Sequence, residues 1–487
     1  MKKLTAQERH FLALVSQAVF ANPFSEERTQ ADSEIAGLPP DAPESEKFNA
    51  TLVRIRAFLD QLTHAGKANI ATAAREDSEP LALAHLFHVF HLFRERFDEL
   101  IQKQIRDGDA CSPVPFASEV LGLLRDRGFS RDDSLRYFGM FYQLRRAYYF
   151  IDTTLPGSGE SMRRLRLALW NNVFTHDTRL YARYLWNRME DFSTLLLGET
   201  GTGKGTAAGA IGRSGFIPFD DRANTFTESF MRSFIAINLS QFPETLIESE
   251  LFGHRKGAFT GAVEAHEGIF QRCSPHGAIF LDEIGDATVP VQTKLLQVLQ
   301  ERSFSPVGSH TRQRFHGRVI AATNHSLVQL RAEKLFRDDL FYRLCSDVII
   351  VPPLRQRLAE RPEELEELLA VTVRRIVGRD SPELVRLVAA AIDCEPGRDY
   401  AWPGNVRELE QCTRRVLLTR SYTGDPALAG GDIRARLLAQ VDAGACSARD
   451  LLSGYCRLLY SRHGTFEDVA RRTGLDRRTV KKHITGS

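Results

Sequence analysis

The stretch STLLLGETGTGKG, residues 193–205, sets an apolar run, a glycine-rich turn and the start of a helix one after another. Its G-x-x-x-x-G-K spacing is that of a phosphate-binding loop at the end of a strand. Gly198, Gly201 and Gly203 are expected to take positive φ and turn backbone N–H groups toward phosphate oxygens. Lys204 supplies a point charge for the β and γ phosphates, and a helix opening near Thr206 adds its N-terminal dipole. Glu199, Thr200 and Thr202 complete the loop. Gly205 stands where a Ser or Thr usually meets Mg²⁺, which leaves Thr206 as the candidate hydroxyl.

Downstream, GAIFLDEIGD (277–286) places an apolar strand directly before Asp282 and Glu283. In nucleotide hydrolysis such a pair divides its labour: the first acid orients Mg²⁺ and the second polarises water. Apolar runs near 194–198, 234–238, 278–282 and 318–322 alternate with helical stretches. That alternation predicts a parallel sheet with crossover helices.

The rest of the chain sets bounds. It has 487 residues, 26% charged and 43% hydrophobic, which excludes a disordered chain, a coiled-coil rod and a collagen-like fibre. No run approaches the roughly 18 apolar residues of a membrane span, and MKKLTAQERHFLALV lacks a signal peptide's apolar core, so a cytoplasmic protein is expected. The seven cysteines are scattered without a CxxC, so neither a disulfide framework nor a zinc site is expected.

Residues 1–150 carry helical periodicity and read as mostly α, with 25–47 as a polar loop and DSEP (77–80) as the cap of a helix beginning near Leu81. His85, His88 and His91 share a helix face and could bind a metal, but their Leu, Phe and Val neighbours favour burial. LPGSGE (155–160) breaks the pattern, the chain is helical again from about 356, and TGDPALAGGD (423–432) reads as a linker.

Taken together, these motifs resemble AAA+ ATPases, specifically the bacterial enhancer-binding proteins that activate the sigma-54 form of RNA polymerase. The most specific match is ESELFGHRKGAFTGA (248–262), which contains the family's hallmark GAFTGA. In the family this loop projects from the ring and touches the sigma factor, a role implied here for Gly257, Ala258, Phe259, Thr260, Gly261 and Ala262. The resemblance further implies that Asn238 holds the catalytic Glu283, that Asp282 binds Mg²⁺, and that Thr323 and Asn324 read the γ-phosphate. Arg343 corresponds to an arginine finger supplied to a neighbouring subunit, with Arg337 assisting, and Arg407 to the lid arginine that reaches the nucleotide. ATP with Mg²⁺ bound between subunits of a hexameric ring is therefore expected.

The resemblance covers roughly residues 165–425, with departures. Gly205 replaces the family's usual Glu, Asn238-Leu239 replaces Asn-Cys, and an insertion lies near 213–232.

At the C-terminus, TFEDVARRTGLDRRTVKKHI (465–484) shows helix-turn-helix patterning, with Val469, Leu475, Val480 and Ile484 as core. Residues 461–487 hold seven Lys or Arg against three acids, whereas residues 1–150 hold 19 against 21, so a net charge of +2 hides a basic tip. Arg477, Arg478, Thr479, Lys481 and Lys482 are the candidate contacts to double-stranded DNA, and the segment resembles the family's Fis-like domain.

The expected organisation is a helical regulatory region (1–160), an α/β AAA+ core (161–355), a helical lid (356–425), a linker (426–444) and a DNA-binding domain (445–487). Such a chain would hydrolyse ATP to remodel the sigma-54 RNA polymerase closed complex from an upstream site. Two other readings use the same motifs: an AAA+ remodeller of another protein, and a DNA-binding regulator with an inactive ATPase. The motifs name neither the signal nor the role of the insertion.

Overall fold

The computed structural model describes residues 3–424, 437 and 447–485. Its core strands fall on apolar runs, the innermost of them buried on both faces. The strands are β1 (Thr194–Leu197), β2 (Phe219–Asp220), β3 (Thr225–Phe226), β4 (Phe234–Asn238), β5 (Ala278–Asp282), β6 (Ser303–Phe304), β7 (Gln313–Arg314), β8 (Arg318–Thr323) and β9 (Asp347–Ile350). Five of them form one sheet in the order β4-β5-β8-β1-β9, and every pairing in it is parallel. β8, wholly buried, lies between β5 and β1. The two hairpins β2-β3 and β6-β7 stand apart from it. The sheet is the α/β core expected, with β9 added at its edge. That strand escaped the pattern because only Ile349 is buried while Val348 and Ile350 are exposed.

The helices before the sheet are α1 (Ala6–Phe20), α2 (Glu26–Ala36), α3 (Glu44–His64), α4 (Arg75–Leu92), α5 (Arg94–Asp107), α6 (Ala117–Asp126), α7 (Arg131–Thr153), α8 (Glu160–Phe174) and the short α9 (Thr178–Leu180). Within and after it come α10 (Lys204–Gly212), α11 (Glu244–Phe252), α12 (Ile269–Arg272), α13 (Val289–Glu301), α14 (Leu327–Ala332), α15 (Asp338–Leu344), α16 (Leu354–Glu360), α17 (Glu364–Val377), α18 (Pro382–Cys394) and α19 (Asn405–Thr419). Three further helices span Ala448–His463, Phe466–Thr473 and Arg477–Thr485. Apart from Leu437, the linker expected at 426–444 lies outside the described residues, as does Cys446. Two compact units result, Met1–Leu368 with Gly404–Arg407, and Leu369–Pro403 with Glu408–Ser487.

The N-terminal region is helical as expected, with two corrections. Residues 26–36 form a helix rather than a loop, because the Ser25 side chain caps it and Gly37 ends it at φ 67°. α4 begins at Arg75, not near Leu81, and Pro80 lies inside it. Asp77 is not a cap there. Its carboxylate accepts from Arg9 Nε at 2.7 Å and from the Leu4 amide at 3.4 Å.

This region is built onto the sheet's helices within the first unit. Arg146 on α7 is fully buried and donates to the carbonyls of Arg213 and Gly215, at 2.7 and 2.6 Å, just past α10. The insertion near 213–232 contains the β2-β3 hairpin, and its Phe226 stacks on Tyr142 with centroids 3.7 Å apart. Phe219 meets Phe138 edge-on at 4.8 Å. The inserted residues thus supply an aromatic seat for α7. Among the described residues no helix is long and apolar enough to cross a membrane.

Among the described residues no group of three or more His, Cys, Asp or Glu is placed to hold an ion, the α4 histidines included. His85 is buried, with Nε2 2.7 Å from the Ala68 carbonyl, and burial lowers its pKa to about 4 from an ordinary 6.5. The unfolded imidazole binds protons that the folded one refuses. The contribution is therefore complete above pH 6.5 and is lost as pH falls toward 4, by about 3 kcal/mol. Urea unfolding of wild type and His85→Gln should show the stability gap between them narrowing across that window. A gap independent of pH would contradict this.

Candidate functional site

The loop after β1 is shaped by two glycines and held by two neighbours. Gly201 and Gly203 adopt φ of 80° and 104°, where a side chain would be strained. Gly198 does not take positive φ. A Cβ there would lie 2.9 Å from the Val351 carbonyl oxygen, so it is needed for space. α10 opens at Lys204, earlier than the position near Thr206 read from sequence. Lys204 is buried and its ammonium donates to the carbonyls of Gly198 and Glu199 at 2.9 and 3.2 Å. Burial lowers its pKa, opposed by Glu283 and Asp282.

Thr202 is buried, and its hydroxyl donates to the Glu199 carbonyl at 2.9 Å. Gly205 and Thr206, the next two residues of α10, are exposed.

The acidic pair ends β5 beside this loop. Asn238 lies directly across from Asp282 in register and donates to it at 3.4 Å. The family resemblance assigned Asn238 to Glu283; here Glu283 instead accepts from the Asn324 amide at 3.2 Å. The Asn324 side chain donates to Thr200 of the loop at 2.8 Å, so it links loop and acid. Thr323 is buried and its hydroxyl accepts the His325 amide. Glu283 itself sits at φ 54°, a left-handed conformation that costs a non-glycine residue about 1–3 kcal/mol.

Two residues that the motifs did not single out lock the loop. Arg355 grips Glu199 with two bonds of 2.7 and 2.6 Å, which lowers the carboxylate's pKa. Asn405, buried at φ 54°, donates to Glu199 at 3.2 Å and to the Thr200 carbonyl at 3.0 Å, while its own oxygen accepts the Leu354 amide. Asn405 lies in WPGNVRELE, two residues before Arg407, and only its contacts reveal its part. A Cβ at Gly201 would collide with the Gly404 carbonyl and lie 3.0 Å from Arg407 Cβ, so Arg407 borders the loop.

Arg337 and Arg343 are not brought to the loop. Arg343 donates twice to the Leu299 carbonyl on α13, at 3.0 and 2.9 Å. Arg337 is half-exposed and paired with Asp339 at 2.7 Å.

The GAFTGA segment closes on itself. The Gly257 amide donates to the Ala262 carbonyl at 2.8 Å, with Gly257 and Gly261 at φ 79° and 101°. Phe259 and Thr260 are exposed at its tip, Ala258 is half-buried and Ala262 is buried. At the base, His254 joins Ser249 on α11 to the Glu264 carbonyl through bonds of 2.6 and 3.0 Å. The β6-β7 connection lies against the same base: Arg255 and Val307 share a 3.1 Å backbone bond, and a Cβ at Gly308 would lie 2.8 Å from Ala258 Cβ.

Residues 178–349, which hold the loop, the acids and this segment, match the family model of the sigma-54 interaction domain. This part of the chain is similar to the sigma-54 interaction domain. The Nif-specific regulatory protein of Azotobacter vinelandii is 38% identical over 275 residues, 55% of this chain and 45% of its own length. That of Bradyrhizobium diazoefficiens is 44% identical over 224 residues, 46% of this chain and 35% of its own. The DNA-binding transcriptional regulator NtrC of Azospirillum brasilense is 40% identical over 263 residues, 53% of this chain and 49% of its own. The matched part therefore spans less than half the length of each relative.

Beyond the sigma-54 interaction domain, the last three helices enclose a core of Cys456, Leu459, Val469 and Val480, against which Leu475 and Ile484 pack. The turn between the last two passes through Gly474 at φ 70°. Asp476 caps the final helix by accepting the Arg478 and Thr479 amides, and its other oxygen accepts the Thr479 hydroxyl. Arg477, Arg478, Lys481 and Lys482 are exposed, with Arg477 paired to Glu467 at 2.9 Å.

The strain at Glu283 can be measured. Glu283→Gly should be more stable than Glu283→Ala by about 1 kcal/mol, because only glycine accepts that φ without cost. Thermal unfolding of the two variants gives the comparison, and equal midpoints would contradict it.

Proposed function

We propose that this chain is a sigma-54-dependent transcription activator that hydrolyses ATP to remodel the sigma-54 RNA polymerase closed promoter complex in the cytoplasm. The observation that carries this is one connected site: Asn324 bonds both the phosphate loop, through Thr200, and Glu283 beside the Asp282–Asn238 pair. The positive-φ glycines and the N-terminus of α10 fit a polyphosphate. Lys204 needs only to leave its two loop carbonyls to meet one.

In this reading residues 198–206 cradle the phosphates, Asp282 holds Mg²⁺, Glu283 orients the attacking water, and Thr323 and Asn324 sense the γ-phosphate. Bound Mg²⁺ would neutralise charge on the phosphate oxygens. Arg407 borders its own subunit's nucleotide. Arg343, with Arg337, serves a neighbour's, which makes a ring, a hexamer by family resemblance, the active state. Phe259 and Thr260 then present the moving contact to sigma-54, with Gly257, Ala258, Gly261 and Ala262 shaping the tip. Residues 445–487 act as a helix-turn-helix on double-stranded DNA, 1–160 as the regulatory region, 161–355 and 356–425 as core and lid, and 426–444 as linker.

Steady-state hydrolysis and sigma-54 capture with an ATP transition-state analogue test the two halves of the claim. Glu283→Ala should lower hydrolysis by about 10²–10⁴-fold. Phe259→Ala should keep hydrolysis and lose the sigma-54 complex. A Phe259→Ala protein that captures sigma-54 as well as wild type would sink the remodelling assignment. For DNA, Arg478→Ala should reduce the log–log salt slope of binding by about 0.9, the share of one phosphate. An unchanged slope would remove Arg478 from the interface.

A further inference from the structure

A cavity of about 520 Å³ lies among the N-terminal helices, and none of the phosphate-loop residues lines it. That volume suits a small organic molecule. Its wall is rich in aromatic side chains, among them Phe48, Phe87, Phe141, Tyr148 and Trp170. Four cations, Arg28, Lys47, Arg94 and Arg145, face two carboxylates, Asp32 and Glu44.

These cations are not equally satisfied. Arg28 pairs with Asp32 at 2.9 Å and Arg145 with Asp98 at 2.5 Å. Lys47 is only 2% exposed, yet its ammonium donates to the Pro40 carbonyl at 2.5 Å and pairs with no carboxylate among the described residues. A buried ammonium without a counter-ion is costly. Among the described residues Arg94 reaches a carboxylate only at 4.0 Å, on Glu95, and its guanidinium lies 5.6 Å from the Phe48 ring centroid.

Two buried nitrogens of lining residues also have no hydrogen-bond partner among the described residues, His91 Nδ1 and Trp170 Nε1; Asp32 Oδ1 is unpartnered too, but as an acceptor it speaks for a donor group and not for an anion. Unpaired buried groups are exceptions in native proteins and point to a missing partner. Burial, with Arg28, Arg94 and Arg145 adding to it, holds the His91 pKa well below its ordinary value, so this imidazole adds no charge.

We propose that this cavity binds a small organic anion with an aromatic body, its charged group at Lys47 and Arg94 and its ring among the aromatic side chains. The site lies where occupancy can be felt by the core. α7 lines it with Phe141 and Tyr148, and between them Arg146 holds the chain just past α10. An effect on hydrolysis would rest on the ATPase reading, whereas binding does not, so the two can fail separately.

Calorimetric titration of the full chain with 1-naphthoate and with neutral 1-naphthalenemethanol tests the proposal. One saturable naphthoate site per chain is expected, about tenfold or more tighter than the alcohol. Arg94→Gln should weaken naphthoate about tenfold and leave the alcohol unchanged. Arg94 is exposed enough for the fold to tolerate its loss, with 35% of its side chain accessible, so the test survives even if Lys47→Met fails to fold. Absence of saturable binding, equal affinity for the two probes, or equal weakening of both by Arg94→Gln would overturn it.

Discussion

A guanidinium sealed from water fixes the phosphate loop's helix to the rest of the first unit. Arg146 is fully buried, lies 4.2 Å from the Tyr142 ring centroid, and spends two nitrogens on the carbonyls of Arg213 and Gly215. Burial pulls its pKa below the usual guanidinium value, which records the cost of placing it there. The position recovers part of that cost, because carbonyls at a helix C-terminus carry partial negative charge. Beside it Gln143 donates to the Ser214 carbonyl at 2.9 Å, so two residues one turn apart on α7 grip three successive carbonyls. Moving α7 therefore means breaking charge-assisted bonds in a low-dielectric interior, and α10 is tied to the same move.

The loop is held at its other side by Asn405 and Arg355, both acting on Glu199. A second tie joins the break before α8 to α16 and the first residue of α17. Arg357 and Glu364 form a buried ion pair at 2.5 Å, and Arg357 also donates to the Pro156 carbonyl at 2.6 Å. Removing either charge would strand the other, and such losses are severe in buried pairs. The loop's shape is thus set by side chains distant in sequence, and its glycines supply only the freedom to accept that shape.

The parts legible in the sequence were those whose signal is local. β1, β4, β5 and β8 are apolar runs, buried almost throughout in β1, β5 and β8, and the loop, the acids and GAFTGA are contiguous motifs. What escaped was set by tertiary partners. α2 offers the core little beyond Ala31 and Ile35, and its caps and the Arg28–Asp32 pair add to that thin apolar face. Gly198 looked like a φ requirement and proved a packing one. The insertion looked like a disturbance of the core, yet Phe219 and Phe226 form the surface on which α7 rests. Glu283 was legible as an acid, but its partner depended on a backbone amide, that of Asn324, which no motif encodes.

The central claim is that nucleotide binds the 198–206 loop and is felt through α10 by α7. Hydrogen exchange of the full chain with and without a slowly hydrolysed ATP analogue measures this directly. Slower exchange is expected at amides 199–206 together with a change at 138–150, the part of α7 that carries Tyr142, Gln143 and Arg146. Unchanged exchange at 199–206 would contradict the nucleotide site. Protection confined to the loop, with α7 unaffected, would contradict the coupling.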